Sequence, residues 1–589
     1  MIGLRALPLA VLLLGAGLGT ARADVPYETR IEGAPDSVAG QLNDHSQLVK
    51  LQDKPPPSAA ALRRRAEDDL PILLRILHDA GYWAAAIGIG IDTAAQPAKV
   101  TLRVDRGPLY HLAQVALTTP EGGAPPLIGG TAPAAFGLDL GGPAMAAPVI
   151  AAEKRIAGAL ADGGYPYAKV TDRHVVIDDA RRTMSVTYTV AVGPKARFGA
   201  AAIEGLKTLN PGYVDRRIAW RPGAVYDERQ VEATRKALVD SNLFSLVEIR
   251  HADQPDPDGR VPMTIRLSER LKHSVGAGVQ YGTHFGFGAS AFWEDRNLFG
   301  NAERLRITGI FAQSRLGLSA QFRRPDFLAP RQDLLVGAEL ADESPVAYTS
   351  RRLRLSPGLE RRLGSDVTFG GGLAYEHGNV TAHDVTQHYQ LLGVPLYLRR
   401  DATNDLLNPV RGDREAFETT PYHSIDGSGL AFVTSRLSGS LYQPVGADDD
   451  YVLAGFARLG SIFGASRDRI PADKRLYAGG GGSIRGYGYQ LVGPLDAGDK
   501  PLGGRSSLEF GSELRIKITQ TIGLVPFIEA GDVYATSLPR LTGRLFYGAG
   551  LGLRYYTAVG PVRLDLATPL SRRSVDSPIQ VYISLGQAF

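Results

Sequence analysis

The stretch Gly479-Gly480-Gly481-Gly482-Ser483-Ile484-Arg485-Gly486-Tyr487 lies in a long glycine-rich segment between two regions of strand-like alternation. A segment of about 40 residues without regular secondary structure is uncommon and usually functional. Four consecutive glycines let the backbone turn tightly or approach another part of the protein closely. These residues alone leave two interpretations open. One is a solvent-exposed loop with a surface arginine, and the other is a loop folded back inside a barrel, where Arg485 meets a buried carboxylate.

The sequence around this stretch alternates with a period of two from about Leu271 onward, and the clearest hairpin runs from Arg304 to Arg323. One face of this hairpin is apolar and comprises Leu305, Ile307, Phe311, Leu316, Leu318, Ala320 and Phe322. The other face is polar and comprises Arg304, Arg306, Thr308, Arg315, Ser319, Gln321 and Arg323. Strands of a soluble sandwich also alternate. Arginines opposite a fully apolar face, however, favour a barrel with lipid outside and water in its lumen.

The last stretch of the chain repeats the alternation. Ile579, Val581, Ile583 and Leu585 alternate with Gln580, Tyr582, Ser584 and Gly586, and the sequence given ends at Phe589. A strand followed by a terminal aromatic residue resembles the recognition signal of bacterial outer-membrane barrels. We therefore expect Val581, Ile583, Leu585 and Phe589 to carry this C-terminal strand signal.

Residues 271–589 are predicted to form an all-β, antiparallel transmembrane barrel. Strands of roughly 10 residues with their connections take about 20 residues each, which gives about 16 strands for this region. The number of strands must be even if the preceding domains and the last strand end on the same side of the membrane. Closure is required because unpaired strand edges cannot be satisfied in lipid.

The region before the barrel contains a repeat of mixed α and β structure. Arg106-Gly107-Pro108 and Val192-Gly193-Pro194 end two similar segments, and an apolar strand begins after each. Self-similarity at a fixed spacing indicates a repeated module. We predict three β-α-α-β-β modules at residues 24–106, 107–194 and 195–270. Their exposed strand edges suit the binding of extended chains by strand addition, although a role as spacers is the alternative.

The N-terminus has the pattern of a signal peptide. Arg5 precedes the apolar run from Ala6 to Leu18, and Ala21-Arg22-Ala23 fits the small-x-small cleavage rule. We therefore expect residues 1–23 to be removed and the mature chain to begin at Asp24. The 589-residue chain is too long for one compact core.

The composition excludes several classes of function. A net charge of +4 gives no polybasic argument for nucleic-acid binding. The chain has no cysteine, which rules out a disulfide framework and a thiolate metal site. The histidines are scattered and do not have the spacing of metal ligands. The sequence also shows no nucleophile-elbow motif. We therefore expect no enzyme activity, no catalytic or metal-binding residues and no cofactor.

Four ordered motifs and the terminal strand resemble the BamA/TamA superfamily of outer-membrane assembly barrels. The first motif is Ser483-Ile484-Arg485-Gly486-Tyr487, which is similar to that family's signature loop. The other three are Pro526-Phe527-Ile528-Glu529-Ala530-Gly531-Asp532-Val533, the pair Gly548–Arg554 and Gly560–Asp565, and Asn408-Pro409-Val410-Arg411-Gly412. The acidic position holds Glu529 where an aspartate is common in the family. The resemblance implies POTRA domains followed by a bacterial surface antigen barrel.

The number of modules selects a branch within that superfamily. Three modules in a chain of this length resemble the branch that forms the translocation and assembly module. This resemblance implies a TamB-like periplasmic and inner-membrane partner, and unfolded outer-membrane proteins, including autotransporters, as substrates in the lipid bilayer. It also implies a contribution to inter-membrane lipid transport and a location in the Gram-negative outer membrane, with the modules in the periplasm. The alternative function is a protein export pore of the two-partner-secretion type.

The same alternation predicts which side chains face the lumen. Ile528 and Ala530 suit lipid, which places Glu529 inside, and Arg563 and Asp565 face inward by the same reasoning. We predict that Arg485 pairs with Glu529 through two parallel hydrogen bonds and holds the glycine loop inside the barrel. The predicted loop and lumen positions are Gly482, Ile484, Arg485, Gly486, Tyr487, Glu529, Gly531, Arg563 and Asp565. Substrate strands would then pair where the first barrel strand, around His273 to Tyr281, meets the last, around Gln580 to Ala588.

Overall fold

The computed structural model describes residues 24–127, 132–282, 286–446, 449–540, 543–558 and 560–589. The predicted signal peptide, residues 1–23, lies outside the described residues. The chain divides into two compact units. One unit holds most of the chain up to Ile265, and the other holds Ile203–Arg217, Ala237–Glu248 and Arg266–Phe589.

Three small α/β modules occupy the N-terminal part of the chain, as the repeat predicted. The first contains β1 (Tyr27–Glu32), α1 (Asp36–His45), α2 (Gln47–Lys50), α3 (Ala59–Asp79), β2 (Ala86–Asp92) and β3 (Ala98–Asp105). Its strands lie in the order β1-β3-β2, with β1 parallel and β2 antiparallel to β3. Leu62, Ala66, Leu73 and Leu77 of α3 are fully buried. Their spacing of three or four residues places them on one face of the helix.

The second and third modules repeat this strand order. The second contains β4 (His111–Thr118), a 3-10 turn (Pro133–Phe136), α4 (Ala146–Asp162), β5 (Lys169–Asp178) and β6 (Thr183–Ala191). The third contains β7 (Arg197–Glu204), α5 (Pro211–Asp215), α6 (Glu228–Asp240), β8 (Phe244–His251) and β9 (Arg260–Glu269). The first helical segment of the second module is a single turn because Gly137 follows it in the left-handed region, with φ 69°.

Antiparallel strands from residue 273 onward form one continuous sheet. The segments are β10 (His273–Gly282), β11 (Gly286–Asp295), β12 (Arg304–Ala312), β13 (Arg315–Arg324), β14 (Gln332–Glu343), β15 (Thr349–Leu363), β16 (Val367–Gly372), β17 (Ala374–Ala382), β18 (Val385–Gly393), β19 (Leu396–Asp401), β20 (Gly412–Ser424), β21 (Ala431–Pro444), β22 (Tyr451–Phe463), β23 (Ser506–Lys517), β24 (Ile522–Tyr534), β25 (Phe546–Thr557), β26 (Gly560–Pro569) and β27 (Gln580–Leu585).

Two pairs of these segments are single strands with a short interruption. β16 and β17 pair with β15 in one unbroken register, and β18 and β19 both pair with β20 in one register. The 18 segments therefore form 16 strands, which confirms the predicted number.

The hairpin used to predict the barrel forms as expected. β12 and β13 pair around the turn at Gln313-Ser314. Phe311, Leu316 and Leu318 are each more than half exposed on the outer face. Arg304, Arg306 and Arg323 line an inner cavity instead. The alternation thus separates an apolar exterior from a polar interior, as a membrane barrel requires.

The first and last strands of the sheet approach each other without pairing. Cα atoms of β10 and β27 come within 8 Å of one another. No ladder hydrogen bonds join the two strands as far as the described residues show, and β10 and β27 remain the ends of the strand order. We call this boundary the seam. None of the helices in the described part of the chain is long and apolar enough to cross a membrane.

Candidate functional site

The loop between β22 and β23 turns back against the inner face of the C-terminal strands. Glycines permit this close approach, because a Cβ atom at Gly486 would lie 2.7 Å from the carbonyl oxygen of Thr568. A Cβ atom at Gly548 would lie only 1.8 Å from the carbonyl oxygen of Arg485. Gly486 also has φ 102°, in the region that favours glycine. Side chains at either position would push the loop away from the wall.

Arg485 is fully buried, and both its main chain and its side chain donate hydrogen bonds to Glu529 of β24. Its Nε and Nη2 atoms donate to Glu529 Oε1 at 2.8 and 2.6 Å, and its backbone N–H donates to Oε2 at 2.6 Å. The structure therefore brings the two predicted residues together. The expected pair of parallel side-chain bonds does not form, because the second carboxylate oxygen accepts from the loop backbone.

Two further carboxylates complete the site around Arg485. Nη1 donates to Asp565 of β26 at 2.7 Å, and Nη2 donates to Glu513 of β23 at 2.7 Å. The guanidinium also lies 3.4 Å from the ring centroid of Phe527. Arg485 thus connects the loop to three strands rather than to one.

Glu513 is the important residue that the sequence reasoning missed. Phe510 and Leu514 of β23 are exposed on the outer face, whereas Glu509, Glu513 and Arg515 are buried inside. The alternation that placed Glu529 in the lumen would have placed Glu513 there as well.

Three more arginines balance the buried negative charge. Arg554 donates to Asp565 at 2.5 Å, Arg515 donates to Glu513 at 3.1 Å, and Arg563 lies 3.5 Å from Asp565. We call Arg485, Glu513, Arg515, Glu529, Arg554, Arg563 and Asp565 the lumen cluster. Four cations and three carboxylates share a site that is almost inaccessible to water. An uncompensated charge there would be costly.

The neighbours of Arg485 in the loop hold the last strand. The Tyr582 hydroxyl of β27 donates to the carbonyl oxygen of Tyr487 at 3.0 Å and lies 3.2 Å from the backbone N of Gly486. Ile484 and Tyr487 are fully buried in a small apolar cluster with Val492 and Val533. The loop therefore contacts both the braced strands and the strand at the seam.

The remaining predicted positions also lie close to the loop. The carbonyl oxygen of Gly482 accepts a hydrogen bond from Arg458 at 2.6 Å, and that of Gly481 accepts one from Arg563 at 3.3 Å. A Cβ atom at Gly531 would lie 2.2 Å from the carbonyl oxygen of Leu508. Gly531 thus permits tight packing between β23 and β24.

Residues 297–589 match the Omp85 superfamily domain. This part of the chain is an Omp85 superfamily domain. The chain is 23% identical over 464 residues to the outer membrane protein assembly factor BamA of Nitratidesulfovibrio vulgaris, covering 74% of this chain and 57% of that protein. It is 20% identical over 490 residues to BamA of Neisseria meningitidis serogroup B, covering 73% and 61%. The chain spans about three fifths of the length of these curated relatives.

A solved structure has the same fold. The crystal structure of BamA from Haemophilus ducreyi lacking POTRA domains 1–3 superposes with a TM-score of 0.64 at 18% identity. The match covers 81% of this chain and 98% of that one. At this identity the likeness establishes the architecture alone.

The C-terminal tail of the Omp85 domain turns away from the outer face after the last strand. Val581, Ile583 and Leu585 are exposed on the outer face, as expected for the strand signal. The strand ends at Leu585, however, and Gly586 turns the chain with φ 88°. Phe589 consequently packs inside, with its ring 4.6 Å from Phe456. Phe589 thus lies beyond β27, and its part in the strand signal stays a prediction.

A second anchor holds the same loop to the opposite part of the Omp85 sheet. Tyr389 of β18 donates to Asp473 at 2.6 Å, and Lys474 forms an ion pair with Glu376 of β17. Tyr422 of β20 donates to Glu376 at 3.1 Å. A cavity of about 820 Å³ lies beside this anchor, with Asp473 and Lys474 in its lining. The loop therefore reaches from β17–β20 across the lumen to β23–β26.

The described residues contain no group of three or more His, Cys, Asp or Glu side chains that could hold a metal ion. In the lumen cluster each of the three carboxylates lies within ion-pair distance of at least one of the four arginines. Such an arrangement can fix the position of a loop and brace the strands that contribute to it.

Proposed function

We propose that this chain is an outer-membrane assembly factor that inserts barrel proteins by pairing their strands with the seam edges. The observation that carries this proposal is the absence of ladder bonds between the described residues of β10 and β27. An unpaired strand edge presents a row of N–H and C=O groups that can template another strand. In lipid these groups have no alternative partner, which favours strand addition.

The short last strand supports the same location for insertion. β27 has 6 residues, whereas β15 has 15. At about 3.4 Å per residue, β27 spans roughly 20 Å, which is less than the hydrocarbon thickness. A short apolar face thins the adjacent bilayer and lowers the barrier to inserting a new strand.

The names of the two relatives support a substrate class and a location for this chain. Both are outer membrane protein assembly factors. We extend this role to the present chain, with unfolded outer-membrane proteins as substrates. We place the barrel in the outer membrane of a Gram-negative bacterium and the three modules in its periplasm.

Within the superfamily we assign the chain to TamA, the outer-membrane subunit of the translocation and assembly module. The three α/β modules in the described residues support this assignment. It adds a TamB-like partner, autotransporters among the substrates, and a contribution to inter-membrane lipid transport. Deleting residues 24–106 should leave a folded barrel but abolish capture of that partner. Full capture by the truncated chain would contradict the role we assign to the first module.

Insertion through the seam can be tested by locking it. Val275 and Ile583 are both exposed on the outer face of the seam strands. The chain has no native cysteine, so a flexible thiol crosslinker between Val275→Cys and Ile583→Cys would be specific. We expect crosslinking to stop insertion of a barrel substrate in liposomes and cleavage of the linker to restore it. Normal insertion with the seam locked would overturn the proposal, and export of a secreted substrate with pore conductance would support the export-pore alternative.

A further inference from the structure

Three prolines lie in the interior of neighbouring barrel strands. They are Pro357 in β15, Pro395 between β18 and β19, and Pro421 in β20. Elsewhere in the described barrel strands, proline occurs at or next to strand ends, or alone, as Pro526 in β24. Proline has no N–H to donate to a ladder, so interior positions in paired strands are unusual for it.

Each of these prolines removes one hydrogen bond between adjacent strands. Leu373 donates to the carbonyl of Pro357 at 2.9 Å, but Pro357 cannot donate in return. Gly372 donates to Pro395 and Val394 donates to Pro421, both at 3.0 Å, and neither bond is reciprocated. Three successive strand pairs therefore each lose one ladder bond.

The lost bonds lie on one line across the sheet. The register places Gly358 opposite Gly372 and Leu355 opposite Tyr375, so Pro357 lies opposite Leu373. Gly370, Gly371 and Gly372 precede Leu373 and contribute no side chains that could stiffen the line. We call Pro357, Pro395 and Pro421 the proline row. The wall is weaker along this row than along the continuous ladders of β21 to β23.

The proline row lies opposite the seam. Counting β16/β17 and β18/β19 as single strands, the row extends from the sixth to the ninth of the 16 strands. The seam lies between the first and the sixteenth, so the point farthest from it in the ring is the boundary between the eighth and ninth. The two seam edges can move apart only if the sheet bends somewhere else in the ring. A bend of a given angle separates the edges most when it lies in the wall opposite the seam.

We propose that the proline row is the hinge about which the barrel opens at its seam. This inference rests on the proposed function, because it assigns the moving part of the same strand-insertion device. Missing ladder bonds lower the cost of bending at the row. Because proline has no N–H, these bonds are also absent when the barrel is closed, so bending at the row breaks fewer bonds.

The test restores the three N–H groups and measures the width of the seam. Spin labels on Val275→Cys and Ile583→Cys report the distance between β10 and β27 in liposomes during insertion of a barrel substrate. We expect Pro357→Ala/Pro395→Ala/Pro421→Ala to lower the widely separated population by roughly tenfold, the factor expected for one to two net hydrogen bonds. The insertion rate should fall in parallel. Pro526→Ala, the matched control in β24, should change neither quantity.

The outcomes separate the hinge from the seam. A heat-dependent shift in gel mobility confirms that the triple variant folds, and slow amide exchange at 357, 395 and 421 confirms the new bonds. Should the triple variant not fold, Pro357→Ala and Pro421→Ala, both on the outer face, carry the test singly. If the widely separated population is unchanged in the triple variant although the new hydrogen bonds form, the hinge proposal is overturned and insertion at the seam is still supported. Labels that never separate in the unmodified chain would overturn both the hinge and the proposed function.

Discussion

Strands β23 to β26 and the seam beside them are built in opposite ways. In the first region every strand pairs with its neighbours, and a buried cluster joins Arg485 to Glu513, Glu529 and Asp565. The second, between β27 and β10, has no ladder bonds among the described residues and a last strand of 6 residues. Tyr582 of β27 links the two regions through the glycine loop. The difference supports the proposal that the loop stabilises a fixed wall next to edges that open.

Removing Arg485 should have the largest effect on this comparison. Arg485→Ala leaves three carboxylates with less compensation in a buried site, which typically costs about 3–5 kcal/mol. Arg485→Glu should cost more, since it adds a fourth negative charge. Arg485→Lys should rescue only in part, because an ammonium cannot reach three carboxylates with a planar fork. Urea unfolding, monitored by the shift in gel mobility, measures the free energy of unfolding of each variant.

A matched control for this series is Arg351→Ala. Arg351 also pairs with a carboxylate, Asp342 at 2.7 Å, but its side chain is 80% exposed. A surface ion pair contributes about 0–1 kcal/mol. If Arg351→Ala and Arg485→Ala lower the free energy of unfolding equally, burial of the lumen cluster adds nothing to the stability of the protein.

The charge swap Arg485→Glu/Glu529→Arg distinguishes a cluster from a pair. A simple pair, as predicted from the sequence, would recover much of its stability after the swap. In the structure, the new carboxylate at position 485 would face Glu513 and Asp565, both within 2.7 Å of the present guanidinium. We therefore expect the swap to recover little stability beyond Arg485→Glu, as measured by urea unfolding. Recovery to near the unmodified value would mean that Glu513 and Asp565 do not contribute.

Tyr582→Phe should loosen the seam strand without unfolding the wall. The substitution removes the hydroxyl that bonds to Tyr487 and Gly486. Each such bond contributes about 0.5–1.5 kcal/mol. Amide exchange in β27 should therefore accelerate while exchange in β23 to β25 is unchanged. Tyr555→Phe, whose side chain is on the outer face and 55% exposed, is the control. Equal acceleration in both variants would rule out a specific link.

The smallest predicted effect is in the third module, where Glu269 holds the turn after β7. Its carboxylate accepts backbone hydrogen bonds from Lys207 at 2.7 Å and from Thr208 and Leu209 at 3.0 Å. Burial acts to raise the pKa of Glu269, but the bonds from Thr208, Lys207 and Leu209 outweigh it and lower the pKa overall. The carboxylate therefore stabilises the turn above the unfolded-state pKa of about 4.3, and this contribution is lost as the pH falls through the lower folded-state value.

Glu269→Gln should remove this pH dependence. Amide protection at Lys207, Thr208 and Leu209 should fall on acidification of the unmodified chain and should already be low at neutral pH in the variant. Glu204→Gln is the control, because its side chain is about half exposed. Protection that is the same in both chains at every pH would contradict the role of Glu269.

Much of the fold follows from local alternation in the sequence. The lipid-facing Leu316 and Leu318, the 16 strands and the inward orientation of Glu529, Arg563 and Asp565 all depend on a period of two. The three modules were predictable because Gly107-Pro108 and Gly193-Pro194 end two similar segments of the chain. Glu513 obeys the same rule and could have been found.

Other features depend on contacts that sequence spacing does not encode. Lys474 meets Glu376 across 98 positions, and Tyr389 meets Asp473 across 84. No local sequence pattern predicts contacts between residues so far apart in the chain. The second anchor of the loop was therefore not predicted. The inward turn of Phe589 depends on one backbone angle at Gly586, which overrides the alternation before it. The sequence predicted one carboxylate partner for Arg485, whereas the structure gives it partners on the three strands β23, β24 and β26.

The most direct test of the central claim is residue-resolved amide hydrogen exchange of the unmodified chain in lipid. If a braced wall adjoins an opening seam, then amides of β24 and β25 should exchange at least roughly a hundredfold more slowly than the facing edge amides of β10 and β27, because unpaired edges open without breaking a ladder. Equal protection across the wall and the seam would contradict the account.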